Sequence, residues 1–225
     1  MEKHYRLLTL FLVLNITFQL ISDATAGKII DLLGYPVSIT VLYFPIVYII
    51  SDIVTEVYGY AQARKILWLT LLSSVTAGVF YQLAVAIPSA SFFESGPAYE
   101  TVFGIVPRVL IGGWLAVFVG DIINNYILAK LKIKTGGKYL WFRTVSSTVF
   151  GQFGNTTIFY VVALGGVLPT NVLIVSILAG WIFKVAVEVI LTPVTYAVVK
   201  KVKKIEGEDY YDRDTDFNPL KFGVR

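Results

Sequence analysis

The chain has 225 residues, 56% of them hydrophobic and 15% charged, with a mean hydropathy of +0.71, which excludes a soluble domain of this size and implies an integral membrane protein. It has no cysteine, so disulfides, thiolate metal sites and a cysteine nucleophile are excluded. The net charge of +4 comes from short basic clusters between apolar runs, not from a stripe interleaved with aromatics, which argues against nucleic-acid binding.

Six apolar stretches approach the roughly 20 residues that cross a bilayer, near 5–27, 36–57, 64–87, 102–129, 143–167 and 170–199. Turn signals separate them: Gly34-Tyr35-Pro36, Ser95-Gly96-Pro97, Thr135-Gly136-Gly137, and Gly165-Gly166 before Pro169. The expected fold is all-α and polytopic, with a six-helix transmembrane domain over 1–204 and a mobile cytoplasmic tail over 205–225. The first span resembles a cleavable signal peptide ending at Ala24-Thr25-Ala26-Gly27. Asn15 and Gln19 interrupt that run, and its removal would leave five spans, so it reads as a retained helix.

Orientation follows from the basic residues. Lys3 and Arg6, then Arg64 and Lys65, then the group from Lys130 to Arg143, then the group from Lys200 to Arg225 make 16 of the 19, all on one side of a six-span chain. That side is cytoplasmic by the positive-inside rule, and it holds both termini. Lys28, Arg108 and Lys184 are the exceptions, and Lys28 and Arg108 become candidates for translocation or gating.

Polar residues inside the spans need a reason, since each buried charge costs roughly 2.5–3.5 kcal/mol on the insertion scale. Asp52 and Glu56, four apart, share a face of span 2 below Phe44 and Tyr48, and Lys184 and Glu188 do the same on span 6. Asn15 and Gln19 lie on span 1, Asp121 and Asn124 on span 4, Gln152 and Asn155 on span 5. Taken singly, each pair has a structural reading: Asp52 and Glu56 meeting Arg64 at a helix end, or Lys184 and Glu188 satisfying each other. Convergence from five helices at a similar depth points instead to a polar cavity that receives a solute. Small-residue spacings, Gly112 with Ala116 and Gly120, and Ser74 with Gly78, read as tight packing within the bundle.

No catalytic or metal-ligating set is expected. The lone histidine, His4, is terminal, and two carboxylates on one helix do not face each other across a scissile bond. No cofactor is expected, and the partners are the lipid bilayer and a small molecule, with a homo-oligomer left open.

Phe44-Pro45, the run Ser51-Asp52-Ile53-Val54-Thr55-Glu56-Val57-Tyr58-Gly59-Tyr60 and Ala63-Arg64 resemble the signature of the queuosine precursor transporter family, also called putative vitamin uptake transporters. Pro107-Arg108, Leu140-Trp141-Phe142-Arg143, Ser147-Thr148-Val149-Phe150-Gly151-Gln152, Lys184 and Thr192-Pro193 extend the resemblance over residues 10–200. It implies a six-helix importer in the bacterial inner membrane that moves 7-deazaguanines, such as the 7-cyano and 7-aminomethyl compounds, for tRNA modification. The purine-like substrate would then meet Asp52, Glu56, Tyr48, Phe44, Asn15, Gln19, Gln152, Asn155, Lys184 and Glu188. Asp121, Asn124 and Arg143 join Lys28 and Arg108 as gating candidates.

A carboxylate accepts the N1–H and amino edge of a guanine-like base at two points, and aromatics stack on its face. Asn124 and Asn155 stand where many members are similar in carrying an acid, which implies a neutral 7-cyano base over a cationic aminomethyl one. Two rivals are a substrate-capture subunit of an energy-coupling-factor vitamin importer and a non-transporting membrane scaffold. The first needs an Ala-xxx-Ala surface that Leu7 to Leu20 lacks.

Overall fold

A computed structural model describes residues 5–104, 106–166 and 168–221. Lys3, His4 and Arg225, used above for orientation and for the absence of a metal site, lie outside the described residues.

The chain is mostly helical: α1 (Leu8–Thr25), α2 (Phe44–Tyr58), α3 (Tyr60–Ala86), α4 (Gly96–Phe103), α5 (Val106–Thr135), α6 (Leu140–Phe159) and α7 (Thr170–Glu206). Among the described residues, four helical stretches are long and apolar enough to cross a membrane: α1, α3, the α4–α5 run and α7. α2 falls short in length and α6 in hydropathy. α2 has only 15 residues and is buried along almost its whole surface, so it needs no lipid-facing stripe. α6 devotes its buried face to Arg143, Thr144, Ser147, Thr148, Gln152 and Asn155.

One short hairpin interrupts this helical design among the described residues. Residues 29–38, expected as a linker running into span 2, form an antiparallel hairpin of β1 (Ile29–Leu32) and β2 (Tyr35–Ser38), with Ile29 opposite Ser38. Leu33 and Gly34 both have positive φ, as a two-residue hairpin turn requires, and Asp31 accepts the Gly34 N–H at 2.8 Å. α2 therefore starts at Phe44, after a short 3₁₀ turn over Ile39–Leu42.

The tail makes hydrogen bonds to the corner between α2 and α3. Tyr210 N–H donates to the Val57 carbonyl, Asp212 accepts the Tyr60 N–H at 3.0 Å, and Arg64 donates to the carbonyls of Asp216 and Asn218. Gly59 turns the chain at φ +87°, leaves the first amides of α3 without helical partners, and lets the Tyr210 ring pack where a Cβ would stand.

Core packing places α2 at the centre. One side chain set, Ile50, Ile53, Val54 and Val57, meets Phe11 of α1 and Val199 and Val202 of α7. Another, Phe44, Val47 and Tyr48, meets Leu67 and Leu71 of α3 and Val117 of α5. Gly120 and Gly151 let α5 and α6 touch backbone to backbone, for a Cβ at Gly151 would come within 2.9 Å of the Gly120 carbonyl. Leu72, Phe80, Phe150, Ile182 and Ile190 point outward, as lipid contact demands.

Candidate functional site

The polar side chains separate into three levels along the bundle. At the hairpin end, a pocket enclosing about 420 Å³, its mouth included, is lined by Gln19 and Asp23 of α1, Phe44 of α2, Asn155 and Phe159 of α6 and Lys184 of α7, with Val109, Gly113 and Val117 of α5 as its wall. Lys184 Nζ donates to Asn155 Oδ1 at 3.1 Å and Thr156 Oγ1 at 3.3 Å, and lies 4.9 Å from the Phe44 ring centroid. Opposite it, Asp23 accepts from Gln19 Nε2 at 2.8 Å and from Ser74 Oγ, which in turn accepts from Trp114 Nε1 at 2.6 Å. Gln19 Oε1 has no partner among the described residues.

Asp23 was missed by the sequence reading. The signal was present, because Gln19 and Asp23 are four apart on α1 and face the same way.

The middle level is sealed. Asp52 is fully buried and accepts from Asn124 Nδ2 at 2.5 Å, leaving its second oxygen unpartnered among the described residues. Both oxygens of Glu188, both ends of Gln152 and the Asn124 carbonyl are likewise unpartnered there. Tyr48 is fully buried with its hydroxyl against Gly120, next to Asp121. Ser51 and Thr55 both donate to Asn125 Oδ1 at 2.9 Å.

The third level, at the basic end, is a knot of ions. Arg143 of α6 grips both oxygens of Glu56, and Lys203 of α7 donates to Glu56 Oε1 at 2.7 Å. Lys132 of α5 donates to the Glu56 carbonyl and to Asp209 at 2.5 Å, and Lys203 also reaches Asp209 at 2.8 Å. Partial burial pushes the Asp209 carboxyl up, but the hydrogen bonds and charges of Lys132 and Lys203 outweigh it and hold its pKa below the ordinary value.

The expected single ring of site residues is thus divided. Gln19, Phe44, Asn155 and Lys184 line the pocket; Asp52, Asn124, Gln152 and Glu188 lie in the sealed level; Glu56 and Arg143 belong to the knot. Asn15 bridges three helices, donating to the Val47 carbonyl and accepting from Thr70. Arg108 donates to the carbonyls of Val162 and Gly165 at the π-helical end of α6, and Lys28 is exposed beside the hairpin. Arg64 donates to the Asp216 and Asn218 carbonyls of the tail, and no ion pair joins Lys184 to Glu188 among the described residues.

The chain is 30% identical over 180 residues to the "Probable queuosine precursor transporter" of Bacillus subtilis strain 168, covering 80% of this chain and 79% of that one. It is 26% identical over 125 residues to a protein of the same name in Haemophilus influenzae, covering 54% and 49% of the two chains. It is 21% identical over 135 residues to the "Queuosine precursor transporter" of Escherichia coli K12, covering 60% and 58%. No solved structure matches the chain. Residues 38–198, from the end of the hairpin through most of α7, match the family described as "Putative vitamin uptake transporter", and the chain belongs to that family of transporters.

Proposed function

We propose that this protein imports a queuosine precursor, a 7-deazaguanine base, across the bacterial cytoplasmic membrane, with the pocket at the hairpin end as its outward-facing binding site. Its relatives' names support a queuosine precursor as substrate, and the motif resemblance implies the 7-deazaguanine form. The observation that carries the reading is the pairing inside one pocket of the Asp23 carboxylate, the Lys184 ammonium and the Phe44 ring.

A guanine-like base offers each of these a partner. Asp23 accepts from the N1–H and amino edge, using lone pairs left over from its bonds to Gln19 and Ser74. Lys184 donates to the carbonyl edge, and Phe44 covers the ring face. The cation at Lys184 beside the neutral amide of Asn155 favours a neutral 7-cyano base over the aminomethyl cation.

In this reading α2 and α6 complete a six-span bundle whose basic end, with both termini, faces the cytoplasm. The knot around Glu56 closes that end, and substrate is released when α2 rocks against α6 and α7 and breaks it.

Purified protein in liposomes tests the proposal. Labelled 7-cyano-7-deazaguanine is expected to enter faster than the aminomethyl compound, and riboflavin and biotin are expected not to enter. Uptake of a vitamin with no uptake of either deazaguanine would overturn the substrate class. Faster uptake of the aminomethyl compound would reverse the preference.

A further inference from the structure

The sealed middle level has a feature that substrate binding does not use. Asp52 of α2 and Glu188 of α7 are both 0% exposed, and neither has a cationic partner among the described residues. The charged groups that bear most strongly on Asp52 are Glu188, then Asp121, then Glu56, and all three are acids.

The nearby cations are committed elsewhere. Lys184, one turn from Glu188, is turned to Asn155 and Thr156 at the pocket floor. Arg143 and Lys203 are held by Glu56, and Lys132 by the Glu56 carbonyl and Asp209. Asp121 lies on α5 beside the Tyr48 hydroxyl. Asn124 donates to one Asp52 oxygen and leaves its own carbonyl unpartnered, as are both ends of Gln152.

Two acids buried on neighbouring helices, each with oxygens left unpartnered among the described residues and neither with a counter-ion there, do not readily both ionise, because no solvent screens either charge. A proton bound by either acid removes one charge and converts an acceptor into a donor, and the Asn124 carbonyl, on the amide that already contacts Asp52, is an unpartnered acceptor among the described residues. A metal ion would need room for a shell of oxygens. The pocket ends at Lys184 and does not extend to Glu188 or Asp52, whereas a proton needs no volume.

We propose that Asp52 and Glu188 form a proton-binding site, placed between the substrate pocket and the ionic knot, that couples import to inward movement of H⁺. The site is closed to both sides in this conformation, and breaking the Glu56 knot one turn away opens it to the cytoplasm. The inference rests on the transport reading above.

The test uses proteoliposomes with 7-cyano-7-deazaguanine as probe, the membrane potential clamped at zero. With acid outside, wild-type protein accumulates the neutral base about tenfold per unit of pH gradient at one proton per substrate. Glu188→Gln and Asp52→Asn, neutral mimics of the protonated pair, keep exchange of labelled for unlabelled base at equal pH and lose accumulation. Wild-type exchange without accumulation on a pH gradient, or accumulation driven instead by a sodium gradient, would overturn the coupling.

A second readout needs no substrate. The infrared carbonyl stretch of a protonated carboxyl is expected in purified wild-type protein at neutral pH, and it should lose intensity in Glu188→Gln. Identical spectra would overturn the proton site. Absence of exchange in wild type would count against the deazaguanine reading alone, and the infrared comparison would still decide the site.

Discussion

Arg143 and Glu56 lock α6 to α2: the guanidinium reaches both carboxylate oxygens, with Nη2 to Oε1 at 3.1 Å, and its remaining donors go to the carbonyls of Lys138 and Gly137. Every charge in this contact is buried, and Lys203 brings α7 to the same oxygen. A buried ion pair adds little over an apolar replacement, but a single unmatched charge in such a place is expensive. The knot is therefore stable when whole and easily upset by removing one member, which suits an element that must open and re-form.

Glu56→Gln leaves Arg143 buried without its carboxylate and Lys203 with Asp209 alone, so it is expected to destabilise the protein by about 3–5 kcal/mol. Thermal melts in detergent would show this as a lowered midpoint, and adding Arg143→Gln should recover part of the loss. Equal midpoints for wild type and Glu56→Gln would remove the knot from the stability of the closed state.

Asp23→Asn tests the pocket. It replaces one acceptor oxygen with a donor amide, while the bonds from Ser74 and Gln19 can rearrange locally. A hydrogen bond to a charged group contributes about 1.5–3 kcal/mol, so affinity for 7-cyano-7-deazaguanine should fall roughly ten- to a hundredfold with little change in melting. Calorimetric titration gives the comparison; unchanged affinity would move the base-reading carboxylate elsewhere.

The sequence carried the helical design and the family resemblance, because apolar runs of membrane length and the Ser51–Tyr60 motif are local signals. It did not carry the assignment of partners. Glu56 was weighed against Arg64, eight residues on, yet its partners lie 87 and 147 residues away on α6 and α7. The turn at Gly59 sends α3 off in a new direction, so proximity along the chain says little there. The contacts of the tail were hidden for a related reason: its mixed charges read as a solvated segment, and their partners, Lys132 and the open amides at the start of α3, are far away in the chain. The hairpin was hidden because strands of four residues leave no periodic trace.

Docking of the tail should depend on acid. The Asp209 pKa is held below its ordinary value, so its contribution is present above the unfolded value and is lost as pH falls through the folded one. Protease cleavage between Gly207 and Leu220 should accelerate on the acid side of the ordinary carboxylate range and already be faster at neutral pH in Asp209→Asn. Tail cleavage that ignores both changes would show that the docking does not depend on Lys132 and Lys203.

Three glycines of α5 and α6 separate packing from binding. A methyl at Gly151 would meet the Gly120 carbonyl at 2.9 Å and Asn124 Cβ at 2.8 Å, so Gly151→Ala must push α5 and α6 apart, at about 1–3 kcal/mol. Gly120→Ala faces the same obstacle from the Gly151 carbonyl at 3.0 Å. Gly113, by contrast, has nothing within 4 Å of its Cβ position and lines the pocket. Gly113→Ala should therefore keep or raise stability, by up to about 1 kcal/mol for an alanine in a helix, while its methyl takes space from the base. Melting curves and base affinity, measured on the same three variants, should move in opposite patterns: Gly151→Ala and Gly120→Ala lose stability, and Gly113→Ala loses affinity. A Gly113→Ala protein that binds 7-cyano-7-deazaguanine as wild type does would place the substrate away from the α5 wall.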